Sequence, residues 1–339
     1  MLSNNLTATL LLTAPLKVGT KEESDEILTG AEYRRLTKTL MDLGREPADF
    51  LGDTSEELIG ACASFLDEER LRRLIGRGFL LGQAVDRWHS RGIWVVGRGD
   101  PEYPARLRDR LKSAAPPVLY GCGERSILGE PALAVVGSRD PDEAVLDQTR
   151  AVGKVAAEAG VLLVSGGARG VDDAGKHGAL EAGGKVVCVL SDSLERRALQ
   201  RDNRSYLKDG RLLLLSPYDP LAGFNAGHAM QRNKYIYALS DAGLVMNSDY
   251  NRGGTWTGAV EQLEKLKLVP VYVRANGSEP GTALHELIKR GALRWPEPAS
   301  PQALVDLLNS ETSLFSPETR AEQLRMTGIA EKKQGYRSR

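Results

Sequence analysis

At 339 residues the chain exceeds one average domain, which makes two domains, or one large domain with an appendage, the starting expectation. Its 45 basic and 45 acidic residues cancel, so overall charge makes no case for a nucleic-acid partner and only local clusters can. Three widely spaced cysteines, Cys62, Cys122 and Cys188, argue against a disulfide framework and fit a reduced, cytoplasmic protein, and no apolar run is long enough to span a membrane.

Residues 6–15 are apolar but lack a basic lead-in and a small-residue cleavage site, so they read as a first buried helix and not a signal peptide. Helical spacing of Leu, Ile and Phe recurs at 56–66, 69–75 and 84–88, which predicts a small helical domain over residues 1–90. A lead-in over 91–130 follows. It holds a short strand at 92–96, a turn at Asp100-Pro101-Glu102-Tyr103-Pro104, a helix at 105–111, and an extended Val118-Leu119-Tyr120 ending at Gly121.

From residue 131 to 295 strands and helices alternate. Strands are predicted at 132–136, 161–164, 186–190, 212–215, 242–246 and 269–273, with helices at 143–158, 172–181, 230–239, 256–266 and 282–289. Continuous apolar strands in that rhythm call for an α/β fold with a doubly wound, mostly parallel sheet. Beyond Pro296, residues 296–339 read as one short helix at 303–308 and a polar, disordered tail carrying Lys332, Lys333, Arg337 and Arg339.

The strand ends carry the chemistry. In an open α/β sheet ligands bind where strand carboxyl ends meet helix amino ends. The strand at 132–136 stops at Gly137-Ser138-Arg139: a glycine that lets the backbone turn under an anion, a hydroxyl and a guanidinium fork. The next stops at Ser165-Gly166-Gly167-Ala168-Arg169-Gly170, which repeats the device without matching the dinucleotide fingerprint, although Asp192 after the third strand imitates a ribose-binding acid. A third cradle is Arg252-Gly253-Gly254-Thr255-Trp256-Thr257, where helix-start amides and two hydroxyls suit a phosphate or ribose, and Trp256 stacks on a base or packs into the core, with packing favoured. Gln231-Arg232-Asn233-Lys234 reads as a helix start, where positive charge opposes the helix dipole and so suggests an anionic partner. The plain alternative for each is a tight turn with solvated charges. That alternative also covers the run Arg196, Arg197, Arg201, Arg204, Lys208 and Arg211.

Catalytic signals are thin. His89, His177, His228 and His285 show no metal-ligand spacing, and no nucleophile set can be argued from proximity. Thr257 and Glu261 lie four apart on one helix face, so a carboxylate can reach a nucleotide in the third cradle, against the alternative of a surface glutamate.

In this order the motifs resemble the DNA-processing protein A family (DprA, also called Smf), over residues 92–292. They comprise the D-x-x-Y-P turn, Gly137-Ser138-Arg139, the S-G-x-A-R-G-V-D stretch ending at Asp172, Gly183-Gly184, Arg232-Asn233, the 253–257 loop, and Leu287-Ile288 with Gly291-Ala292. The resemblance implies an extended Rossmann-like domain that binds single-stranded DNA in a basic pocket. It also implies a homodimer that helps load a RecA-type recombinase, with no cofactor and no chemistry on the DNA. Carried over by position, Gly137, Ser138, Arg139, Arg169, Arg232, Asn233 and Lys234 meet phosphates.

Departures are specific. Lys176 stands at the family's histidine, with His177 one place late; Pro217 and Asn247 replace two acids; and the tail is too short for a winged-helix domain. Loss of two carboxylates eases polyanion binding or signals a different ligand, and a specialised paralogue, for instance in defence against phage, is a further reading. The competing class is a nucleotide sensor or an enzyme similar to phosphoribohydrolases, against which Glu261 falls one residue beyond the expected acid.

Overall fold

Local sequence decides where the elements start. Ser3 caps the first helix through Leu6 N–H, Thr29 and Glu32 form a reciprocal capping box, and Asp67 and Asp142 each accept an amide three residues on. The computed structural model of the chain describes residues 2–16, 27–274, 281–298 and 300–314. The tail lysines and arginines lie outside the described residues.

In chain order the elements are α1 (Asn4–Thr13), α2 (Gly30–Asp42), α3 (Ser55–Cys62), α4 (Glu68–Ile75), α5 (Gly78–Ser90), β1 (Ile93–Gly97), α6 (Ala105–Leu111), β2 (Val118–Cys122), β3 (Ala132–Val136), α7 (Glu143–Glu158), β4 (Leu162–Ser165) and α8 (Val171–Glu181). There follow β5 (Val186–Val189), α9 (Leu194–Ala198), α10 (Arg201–Lys208), β6 (Leu212–Ser216), α11 (Ala226–Leu239), β7 (Ala242–Val245), α12 (Gly253–Glu261), β8 (Val271–Val273), α13 (Thr282–Lys289), β9 (Leu293–Arg294) and α14 (Pro301–Leu314). The fold is α/β and Rossmann-like, with a mostly parallel sheet and an N-terminal helical extension.

Two compact units divide the chain, Met1–Leu128 with Cys188–Arg232, and Gly129–Val187 with Asn233–Arg339. In the first, Leu36, Leu40, Phe50, Leu58, Ile59, Leu71 and Leu74 are all 1% exposed or less and form the core of the helical extension. Glu32 also receives Arg70 at 2.8 Å, and chiefly that hydrogen bond lowers its carboxyl to about 2. A folded-state value below the unfolded one means stability that is present above the ordinary carboxylate range and lost as pH falls through about 2. Acid titration of unfolding is therefore expected to show a shallower decline in Glu32→Gln than in the wild type between those limits.

The D-x-x-Y-P turn proves to be a structural knot. Gly97 N–H donates to Asp100 Oδ2 at 2.7 Å, Ser3 Oγ donates to Asp100 Oδ1 at 2.7 Å, and the buried Tyr103 hydroxyl donates to Pro116 O at 2.9 Å. β2 pairs antiparallel with both β1 and β6, so the predicted strand at 212–215 is paired here against the parallel expectation. Gly121 is obligatory in β2, since a methyl group there would lie 2.3 Å from the Trp94 ring. Arg87 Nε and Nη2 hold the buried Glu195 of α9 at 2.9 and 3.0 Å, joining the N-terminal helices to the basic 195–211 stretch.

The second unit contains the parallel strands, in the order β4, β3, β7, β8, β9. β3, β4, β7 and β8 are buried at every residue, which is why their sequences run apolar without alternation. The helices that follow β3 and β4 pack backbone to backbone. A methyl on Gly178 of α8 would lie 2.2 Å from Arg150 O of α7, and one on Gly153 of α7 would lie 2.4 Å from Gly175 O of α8. Gly183-Gly184 ends this pair: Gly183 has φ +84°, and a methyl on Gly184 would meet Ala157 at 2.5 Å.

Candidate nucleic-acid interface

Three strand-end loops of the second unit are held to one another by close backbone approach and by side-chain hydrogen bonds to backbone. Gly137 sits so close to the start of α8 that a methyl would be 2.5 Å from the Val171 side chain, and Gly170 so close to the first loop that a methyl would be 2.5 Å from Ser138 O. Val171 N–H donates to Ser138 O at 3.2 Å. Asn247, just past β7, accepts Ser138 N–H on Oδ1 at 2.8 Å, and Thr255 Oγ1 donates to Gly137 O at 2.8 Å. The loops at 137–139, 165–170 and 247–257 thus form one cluster at the carboxyl ends of β3, β4 and β7. Arg139 and Arg169, from the first two loops, are both exposed, as are Arg252, Gly253 and Gly254 in the third.

Much of the expected amide cradle is already in use. Gly166 N–H and Ala168 N–H both donate to Oδ2 of the buried Asp172, at 3.0 and 3.2 Å, and Gly167 N–H points to Ser165 Oγ at 3.4 Å. Ser165 is fully buried. Asp172 lay in plain view in the motif, but a carboxylate seven residues after a serine carries no sequence signal for bonding back to its own loop. Ser138 Oγ accepts Asp140 N–H at 3.1 Å, and Thr257 Oγ1 donates to Gly253 O at 3.1 Å. At the start of α12 the N-cap residue Arg252 makes no side-chain cap, and the first-turn amides at Gly253 and Gly254 have no acceptor within the helix.

Helix α11 corrects the sequence reading of Gln231-Arg232-Asn233-Lys234 as a helix start. The helix begins at Ala226, with Asn225 Oδ1 accepting His228 N–H at 3.0 Å, so these residues lie beyond its first turn and the dipole argument for them lapses. Gly227, a poor helix former, concealed that earlier start. Arg232 belongs to the first unit and is 6% exposed; burial pushes the nearby Tyr218 phenol up to about 12 and the Arg232 charge opposes that rise. Asn233 has a positioning contact, Nδ2 to Gly254 O at 2.9 Å. Lys234 is half-buried, with Nζ 5.1 Å from the Tyr235 ring centre. Trp256 packs: it is 5% exposed, edge-on to Tyr250.

The departures also have places. Lys176 pairs with Asp173 at 2.9 Å, while His177 is exposed. Burial, and then the Asp172 charge, push the Tyr237 phenol far above its ordinary range. Among the described residues no group of three or more His, Cys, Asp or Glu is arranged to hold a metal ion, Cys62, Cys122 and Cys188 are buried and form no disulfide, and no helix is long and apolar enough to cross a membrane.

The sequence model of the DNA recombination-mediator protein A family matches residues 94–304. The chain belongs to that family. Among curated relatives it is 33% identical to protein Smf of Escherichia coli over 54% of this chain and 49% of the relative, and 32% identical to protein Smf of Synechocystis over 47% and 40%. The DNA processing protein DprA of Streptococcus pneumoniae is 30% identical over 52% of this chain and 63% of its own. The chain thus spans less than two thirds of these relatives' lengths. Solved structures share the fold. DNA processing protein A of Streptococcus pneumoniae superposes with a TM-score of 0.63 at 20% identity, covering 90% of this chain and 98% of that one. The Helicobacter pylori protein, described by its single-stranded DNA binding mode, gives a TM-score of 0.51 at 23% identity, covering 64% and 96%.

Proposed function

We propose that the strand-end cluster of the second unit binds single-stranded DNA through its phosphates and that the protein acts by binding, without chemistry on the strand. The observation that carries this is the pair Arg139 and Arg169, exposed on loops held together at Gly137 and Gly170. A closed mononucleotide site wants a ring of unspent amides, yet those of Gly166, Ala168 and Ser138 serve Asp172 and Asn247. What the loops offer outward is cationic side chains, with Arg252 and the Gly253 and Gly254 amides beside them, and such a surface suits a polymer of phosphates. Lys234 adds a cation from α11, and Asn233 ties that helix to the third loop at Gly254 O.

Family membership supports the same reading, as does the single-strand binding described for the Helicobacter pylori protein. It extends to a homodimer that protects single strands and passes them to a RecA-type recombinase, in DNA uptake or in a defence-related role. The test is fluorescence anisotropy of a labelled single-stranded oligonucleotide across a salt series, with light scattering on the same samples. Salt-sensitive binding with little sequence preference is expected. Folded protein that leaves the oligonucleotide free at low salt overturns the proposal.

A further inference from the structure

Resting on that reading, we infer that Asn247 is a specificity-determining residue: it holds the Gly137-Ser138-Arg139 loop as an acid would, while adding no negative charge beside Arg139 and presenting a neutral donor to the bound phosphate. Its position is fixed from both sides. Ahead of it, Met246 N–H donates to Val136 O at 3.0 Å, and Met246 O accepts Arg274 Nε at 2.9 Å; Arg274 in turn reaches Gln148 of α7. Asn247 itself is partly buried and accepts Ser138 N–H at 2.8 Å.

That bond sets the orientation of the carboxamide, because only the oxygen can accept an amide hydrogen. The nitrogen must then point the other way. Among the described residues Nδ2 makes no hydrogen bond, so two donors remain on the loop cluster that carries Arg139 and Arg169. An aspartate at 247 would accept from Ser138 equally well, since its shape is the same. It would differ only in replacing those donors with a negatively charged oxygen that attracts the arginines and repels a phosphate. Packing therefore does not require the amide here, whereas a phosphate ligand does.

The experiment is Asn247→Asp in the full chain, read by oligonucleotide anisotropy and thermal unfolding. Asn247→Asp is expected to unfold within a few degrees of wild type and to bind the single strand about tenfold more weakly at low salt, with the gap narrowing as salt rises. In the wild type, the side-chain amide resonances of Asn247 should shift on titration with the oligonucleotide, a readout that stands even if the variant fails to fold. If the wild type binds and neither the variant's affinity nor those resonances change, the inference is overturned and the proposed function stands. If the wild type does not bind at all, the function itself fails and this inference with it.

Discussion

Replacing Arg139 and Arg169 together by alanine is expected to weaken single-strand binding roughly a hundredfold at low salt while leaving the fold intact. Both side chains are exposed, so their removal opens no cavity, and the loop backbones are held by contacts that neither arginine makes: Val171 N–H to Ser138 O and Gly166 N–H to Asp172. Each lost phosphate contact also removes one released counterion site, which reduces the log-log salt slope by about 0.7 for a single strand, or about 1.4 for the pair. The slope separates a lost phosphate contact from general destabilisation, which lowers active protein without altering the salt response. An unchanged slope in a folded double variant would place the DNA elsewhere.

The largest stability effect is expected at Gly178. Alanine there would put a methyl 2.2 Å from Arg150 O, a distance that real contacts do not tolerate, so α7 and α8 must separate along their shared length. A cost of about 3 kcal/mol is expected, at the upper end for overpacking because the obstruction is backbone. Urea unfolding measures it. Gly60→Ala, in α3 with nothing within 4 Å of the new methyl, is the control and should be neutral or stabilising by about 0.5–1 kcal/mol. Should both variants unfold alike, the close helix contact is not what holds the pair.

Much of the architecture was legible in the chain. β3, α7 and α13 have the limits that their apolar spacing predicts, because each is bounded by a strong local signal: Gly137 after β3, Asp142 before α7, Gly291 after α13. The candidate site was legible as three glycine loops with cations. Its internal wiring was not. Asp172, Asn247 and Thr255 all act on backbone groups of other loops or of their own, and such bonds depend on which strands lie side by side, with β7 beside β3. The antiparallel pairing of β2 with β6 was hidden for the same reason, since the partners are far apart in sequence. Arg232 reads as a surface cation in sequence and is buried in the fold, within α11 and beyond its first turn.

The carboxylate of Asp172 inside the second loop bears on what the protein can ignore. With those amides already committed, a small free anion finds nothing there to close around, and inorganic phosphate or a mononucleotide gains only an isolated charge contact. A polymer engages several such contacts at once, and each raises the effective concentration of the next. On the proposed reading length is the recognised quantity, and a single strand is favoured over an isolated phosphate group.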